Sequence, residues 1–176
     1  MIRLDIGCGK NKKPGFLGVD QYAFEGVDVV CNVAKDIWPW DHGTVEEVHC
    51  SHFLEHLTAK ERIRFFNELY RVMAVGAKAT IITPHWCSNR AYGDLTHQWP
   101  PVSEMFWYYV DAGWRKSQAP HTDKEFNADG FECDFAATWG YGLHPQITPR
   151  NPESQQFAMT FYKEAAQDMH CTLVKK

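Results

Sequence analysis

Apolar residues in this chain come in short runs that stop at glycine or polar positions. Ile2–Ile6 reads as a buried strand ending in a glycine turn, and 16–19, 27–31 and 45–50 read as three more. Short apolar runs that each stop at such a position are what parallel strands show. The period then changes. Ala59, Ile63, Phe66, Tyr70 and Met73 recur at three- and four-residue spacing and draw one apolar stripe along a helix over 58–75. Thr58 with Glu61 forms a capping box at its start, and Gly76 offers a left-handed stop at its end. A strand over 77–83 follows, closed by Pro84. Ser103 is placed to cap a second helix reaching about 112, with Gly113 as its stop. Residues 131–139 read as a strand, Asn151-Pro152 as the start of a third helix, and 169–174 as a last strand. Strands alternating with helices predict an α/β fold with a mostly parallel sheet. With no internal repeat or linker, one domain is expected over 1–176.

Composition changes this picture little. A chain of 176 residues, 44% hydrophobic and 23% charged, can bury one ordinary core. Seven Trp, seven Tyr and eleven Phe exceed what that core requires, so aromatics either line a pocket or make the core bulky. Eighteen basic against 22 acidic residues give −4, without the basic surplus of a non-specific nucleic-acid binder. The clusters Lys10/Lys12/Lys13 and Lys60/Arg62/Arg64 read as a solvated loop and a solvated helix face. Six cysteines, at 8, 31, 50, 87, 133 and 171, form no C-x-x-C pair and fall in or beside apolar runs, as reduced, buried thiols do. No signal-peptide pattern opens the chain and no apolar run approaches membrane-spanning length, so a cytoplasmic protein without a membrane partner is expected.

The chemistry begins at Leu4-Asp5-Ile6-Gly7-Cys8-Gly9. In a doubly wound sheet, ligands bind beyond the carboxyl ends of the strands, and a glycine turn there lets backbone approach the ligand closely. An acid closing the next strand, here Asp20, is placed to accept both hydroxyls of a ribose. Together these point to a nucleoside-type ligand. A dinucleotide fingerprint would need a third glycine at position 12, which is Lys, and Pro14 would disturb the helix expected there.

The full run of motifs resembles class I S-adenosylmethionine (SAM) methyltransferases. L-D-I-G-C-G at 4–9 is similar to their first motif and G-V-D at 18–20 to their second. Asn32-Val33, followed by Ile37-Trp38-Pro39-Trp40, resembles the adenine-contacting stretch, with Asn where the family usually has Asp. His52-Phe53-Leu54-Glu55-His56-Leu57 resembles the H-x-L-E-H-L segment after strand four, and Asn67–Met73 with Val75-Gly76 the helix and turn into strand five. These motifs cover roughly residues 2–84. The resemblance implies a minimal Rossmann-like, mostly parallel seven-stranded sheet whose last strand is antiparallel. It implies SAM as cofactor, S-adenosylhomocysteine as product, and cofactor contacts from Asp5, Gly7, Cys8, Gly9, Lys10, Asp20, Gln21, Asn32, Val33, Ser51, His52 and Leu54. One departure narrows the subfamily. Only nine residues, Gly7 to Gly15, return from strand one to strand two. They reach about 30 Å, enough to retrace a strand of roughly 17 Å, but too few to include a crossover helix. The first helix is therefore expected to be short or missing, and loop N–H groups with Lys10 to hold the methionine carboxylate in its place.

His52-x-x-Glu55-His56 also fits the inverted zinc-hydrolase signature H-x-x-E-H. That chemistry needs the segment on one helical face, whereas a strand runs directly into it and Thr58 caps a new helix just after. The motif is therefore read as cofactor floor (Ser51, His52) with His56 structural, and no metal is expected. The loop 83–100 is too rich in His, Trp and Arg for an idle connection. Asp94-x-Thr96-His97 resembles the D-P-T-H segment of some of these methyltransferases. It nominates His97 as base with Asp94 to orient it, and His85, Trp86, Arg90, Tyr92 and Trp99 as acceptor contacts. The acceptor pocket is expected to be shaped by 114–130 and 140–150. Methyl transfer to O or N of a small molecule is the leading expectation. A SAM-binding protein without methyl transfer, or with other SAM chemistry, and a zinc hydrolase are the alternatives.

Overall fold

The computed structural model describes residues 2–176. Its strands are β1 (Ile2–Ile6), β2 (Leu17–Asp20), β3 (Val29–Val30), β4 (Val45–Ser51), β5 (Met73–Pro84), β6 (Phe135–Leu143) and β7 (Ala166–Lys175). They form one sheet in the order β3-β2-β1-β4-β5-β7-β6. Strands β3 to β5 are parallel, and β7 runs antiparallel to both β5 and β6. The reversed strand is the last in sequence, as expected. Successive strands step outward in opposite directions from β1 and β4, which puts the crevice of the sheet beyond the carboxyl ends of that pair.

Helices are few: α1 (Ala59–Val72), α2 (Arg90–Gly93), α3 (Glu104–Tyr108), α4 (Ala112–Gln118) and α5 (Pro152–Phe161). Among the described residues no helix lies between β1 and β2, and none appears before α1 except a 3-10 turn at Leu54–His56. The capping box on α1 is present: Thr58 accepts from the Glu61 N–H while the Glu61 carboxylate accepts from the Thr58 N–H. Its buried side, Phe65, Phe66, Leu69 and Val72, packs on Leu4, Ile6, Val48, Cys50, Ala79 and Ile81, all within one core cluster.

The strands are not buried on both faces. Leu4, Val48, Ala79 and Leu173 are in register and face the core, whereas the alternate row Arg3, Glu47, Lys78 and Val174 is exposed or half-buried. The mark of this half-solvated face is visible in the runs themselves, where Arg3, Asp5, Glu47 and His49 interrupt β1 and β4 at every second position. The return segment covers part of this polar face. Phe16 lies edge-on to His49, beneath the guanidinium of Arg3 and the ammonium of Lys13.

Several boundaries differ from expectation: among the strands, β3 shortens to Val29–Val30 and β7 begins already at Ala166. Helix α1 ends at Val72, because Met73 turns extended to pair with Val45, and Gly76 (φ +78°) lies in the irregular stretch of β5. The second helix is two: Ser103 makes no side-chain cap, and Asp111 starts α4 by accepting from the Trp114 N–H, so Gly113 lies inside a helix. Strand β6 begins at Phe135, since Phe131 instead bridges to Asp123. That bridge belongs to a subcore around the buried Arg115, which donates to Asp123 and to the carbonyls of Tyr109 and Cys133. The 114–130 segment thereby docks beside α1, through Lys60–Asp129 and Asn67–Gly130, and not beside the loop 83–100 expected to share an acceptor pocket with it.

Candidate cofactor and acceptor site

Gly7 and Gly9 both take left-handed backbone, φ +68° and +51°. Gly7 has a second constraint: a Cβ there would stand 2.6 Å from the Phe53 ring. The N–H groups of Gly7 and Cys8 donate to the Val19 carbonyl and that of Gly9 to Asp20 Oδ2, so all three are spent inside the protein. This differs from the expected loop cradle; of the loop's three lysines, Lys12 pairs with Asp28, Lys13 lies over the Phe16 ring and Lys10 over the Phe24 ring. Asp20 also accepts from the Tyr22 N–H. A carboxylate has about four acceptor positions, so two remain after these bonds.

A cleft beyond β1, β2 and β3 is lined by Gly7, Asp20, Gln21, Asn32 and Val33, five of the residues nominated from sequence. Asn32 accepts from the Ala34 N–H and donates to Gln21 Oε1, which fixes its amide beside Asp20. The same cleft is lined by Cys31, Ala34, Lys35, Phe53, His56, Leu57 and Glu61, which sequence reasoning missed. Other nominated residues lie elsewhere. Asp5 is buried on the polar sheet face, bonded to His49 Nδ1 and the Lys13 N–H. Cys8 is buried within the return segment, with its thiol directed to the Gly9 carbonyl. Leu54 is fully buried in the core, and Ser51 is half-buried at the end of β4.

His52, at φ +52°, turns instead into a second cleft with Glu55, His56, Arg90, Asp94 and His97. His56 lines both clefts, so it stands where they meet and not in a purely structural place. The His97 N–H donates to the Asp94 carbonyl, but the Asp94 carboxylate does not hydrogen-bond to the His97 ring. Ring nitrogen and carboxylate stand 4.0 Å apart, and Asp94 Oδ1 accepts instead from the Thr96 N–H and hydroxyl. Arg90 pairs with Asp168 at 3.0 Å. The rim is aromatic: Trp86 and Tyr92 meet Phe161 and Tyr162 from the end of α5, and Trp99 stands exposed beside His97. It is α5, not the 140–150 stretch, that reaches this rim.

His85 is buried and serves the loop rather than the cleft. Its Nδ1 accepts from the Cys87 N–H, so Nε2 carries the proton and donates to Glu104 at 3.0 Å. Trp86 Nε1 and the Tyr141 hydroxyl donate to the same carboxylate. This bonding, from His85 first, holds the Glu104 pKa at about 2. All six cysteines are buried and unpaired, and burial raises the thiols of Cys50 and Cys133, the latter to about 12.

No family model matches the chain, and no curated protein matches it. Solved structures do. A SAM-dependent methyltransferase from Archaeoglobus fulgidus superposes over 99% of this chain and 85% of its own, at 17% identity and a TM-score of 0.67. The chain has the SAM-dependent methyltransferase fold. A chain from the complex of the Haloferax volcanii Trm112 methyltransferase activator with a methyltransferase superposes with a TM-score of 0.56, at 13% identity over 99% of this chain and 81% of its own. Geranyl diphosphate C-methyltransferase from Streptomyces coelicolor, solved with Mg2+, geranyl diphosphate and S-adenosylhomocysteine, does so at 0.53, with 15% identity over 99% of this chain and 72% of its own. The methyltransferase fold here is trimmed at its first half: β1 to β4 are joined by loops alone, and α1 is the first α-helix of the described residues.

Proposed function

We propose that this chain transfers a methyl group from SAM to an oxygen or nitrogen of a small-molecule acceptor. The observation that carries the reading is the cleft joining Gly7, Asp20 and Asn32 at the carboxyl ends of β1 to β3 within a methyltransferase fold. In it, Asp20 accepts from the ribose hydroxyls with its two remaining lone-pair positions, while the Asn32 amide meets the adenine. Lys10 meets the methionine carboxylate.

The acceptor enters through the cleft of His52, Arg90 and His97, beneath the aromatic rim. Methyl transfer needs chiefly an acceptor lone pair held in line with the sulfonium, so most of the rate comes from position. His97 carries the acceptor-side chemistry. Asp94 holds, through Thr96, the loop on which it sits. The polar lining and absence of a basic surplus favour a small polar acceptor over nucleic acid.

Mass spectrometry of ligand released from the purified chain, with calorimetric titration of SAM and S-adenosylhomocysteine, tests the reading. Nucleoside released, or binding of both ligands at one site, is expected. Failure to bind either removes it.

A further inference from the structure

The two clefts share a wall, and that wall holds a cluster the cofactor does not account for. One nitrogen of His56, one of His97 and one oxygen of Glu55 lie within 4.8 Å of one another. Glu55 is only 5% exposed, yet among the described residues neither of its carboxylate oxygens has a hydrogen-bond partner. The nearby guanidinium of Arg62 gives three of its five N–H donors to the carbonyls of Leu54, Pro100 and Gln98 and none to Glu55. His52 Nδ1 approaches Glu55 Oε1 at 3.3 Å without hydrogen-bond geometry, from a half-exposed side chain. A carboxylate so far from water requires a compensating charge.

We propose that Glu55, His56 and His97 bind a first-row divalent transition metal. The hydrogen bonds behind the two imidazoles prepare them for it. Thr96 gives its own hydroxyl proton to Asp94 and so accepts from His56 Nδ1 at 2.9 Å, which leaves the His56 lone pair on Nε2. His97 Nδ1 faces the Ala91 carbonyl, which can only accept, so its lone pair is on Nε2 as well. Metal-bound histidines characteristically donate their second nitrogen in this way. The Gln98 N–H donates to the Glu55 carbonyl and fastens the loop that carries His97 to the turn that carries Glu55 and His56. Two imidazoles and one carboxylate suit zinc or its first-row neighbours, whereas magnesium and calcium select oxygen donors. Three protein ligands leave a position open toward the acceptor cleft.

Because His56 borders both clefts, the ion stands between cofactor and acceptor. On the methyltransferase reading, an acceptor hydroxyl binds at the open position and loses its proton to water. Its oxygen lone pair then forms the bond to the methyl carbon as the C–S bond breaks, and the sulfonium leaves as a neutral thioether. His97 thus acts as a ligand and not as the proton acceptor, and Asp94 and Thr96 are positioning residues for His56.

The test uses the full chain, stripped with chelator and titrated with Zn2+ by calorimetry and with Co2+ by visible absorption, with SAM affinity measured on the same samples. One equivalent of zinc is expected. Glu55→Gln and His97→Ala each weaken it by about 100-fold and Thr96→Val by about tenfold, while His121→Ala leaves it unchanged. No stoichiometric zinc in the wild type, equal binding in both ligand variants, or loss only in His52→Ala would overturn the site. SAM bound without zinc would leave the proposed function standing alone. Zinc bound without SAM would keep the site and remove the methyltransferase reading.

Discussion

Asp5 Oδ1 lies 2.7 Å from His49 Nδ1, side by side on adjacent parallel strands, while its Oδ2 takes the Lys13 N–H at 2.7 Å. This acid of the first motif, expected to contact a cofactor, is thus a clamp between sheet and return segment. Asp5→Ala is expected to cost about 1–3 kcal/mol, the loss of hydrogen bonds to a buried charge. Urea denaturation with SAM affinity measured separately checks this. A variant of unchanged stability would show the clamp to be idle.

The two glycines of the first loop should respond differently to a methyl group. Both occupy left-handed backbone, where a Cβ costs about 1–2 kcal/mol. Only at Gly7 does the Cβ also meet Phe53, while at Gly9 nothing lies within 4 Å. Gly7→Ala should therefore lose clearly more stability than Gly9→Ala, and Phe53→Ala in the Gly7→Ala background should restore part of the difference. Equal losses in the two single variants would refute the packing account.

On the cofactor side, Asp20→Ala removes the acid proposed to hold the ribose and also leaves the Gly9 and Tyr22 N–H groups unpaired. SAM affinity is expected to fall by about tenfold to 100-fold, corresponding to the 1.5–3 kcal/mol of charge-assisted hydrogen bonds. Lys10→Ala should weaken SAM more than it weakens adenosine, since only the former carries the carboxylate. Parallel calorimetric titrations with both ligands decide this, and an equal loss for both would detach Lys10 from the methionine end.

Glu104 gives the fold a signature in acid. Its pKa drops from the ordinary 4.5 to about 2, through hydrogen bonding from His85 above all. A group depressed on folding contributes stability that is complete above its unfolded value and lost as pH falls through the folded one. The wild type should therefore lose melting temperature between about pH 4.5 and pH 2 more steeply than Glu104→Gln. At neutral pH the variant should be the less stable of the two. Parallel acid limbs would contradict the assignment.

Much of the scaffold was readable from local chemistry. The bounds of β1, the capping box of Thr58 and Glu61, the Asn151-Pro152 start of α5 and the helix-free first crossover each depend on residues within a few positions of one another. What eluded the sequence depends on partners far along the chain. Met73 leaves α1 because Val45 pairs with it, and the α3–α4 break follows from Asp111, whose carboxylate also pairs with Lys176. The position of His56 at the junction of the clefts is fixed by Thr96, forty residues on. The H-x-x-E-H spacing did signal that segment. Only His97, brought from the far side of β5, redirects attention from His52 to Glu55 and His56.

The short return between β1 and β2 bears on how the protein assembles. Parallel neighbours ordinarily wait for a crossover of a dozen or more residues to be formed and docked. Here ten residues, 7–16, separate Ile6 from Leu17, a span closer to that of a long hairpin. Each doubling of a loop adds about 0.6 kcal/mol to the entropy of closing it, so this pair forms at little cost. With Asp5 and Phe16 available to hold it shut, β1–β2 can act as an early, local nucleus, beside the equally local β2–β3 pair, in a topology whose pairings of β4 with β1 and of β7 with β5 are distant in sequence. The end of the chain that cradles Gly7 and Asp20 would then be built first, before any helix has a sheet to rest on.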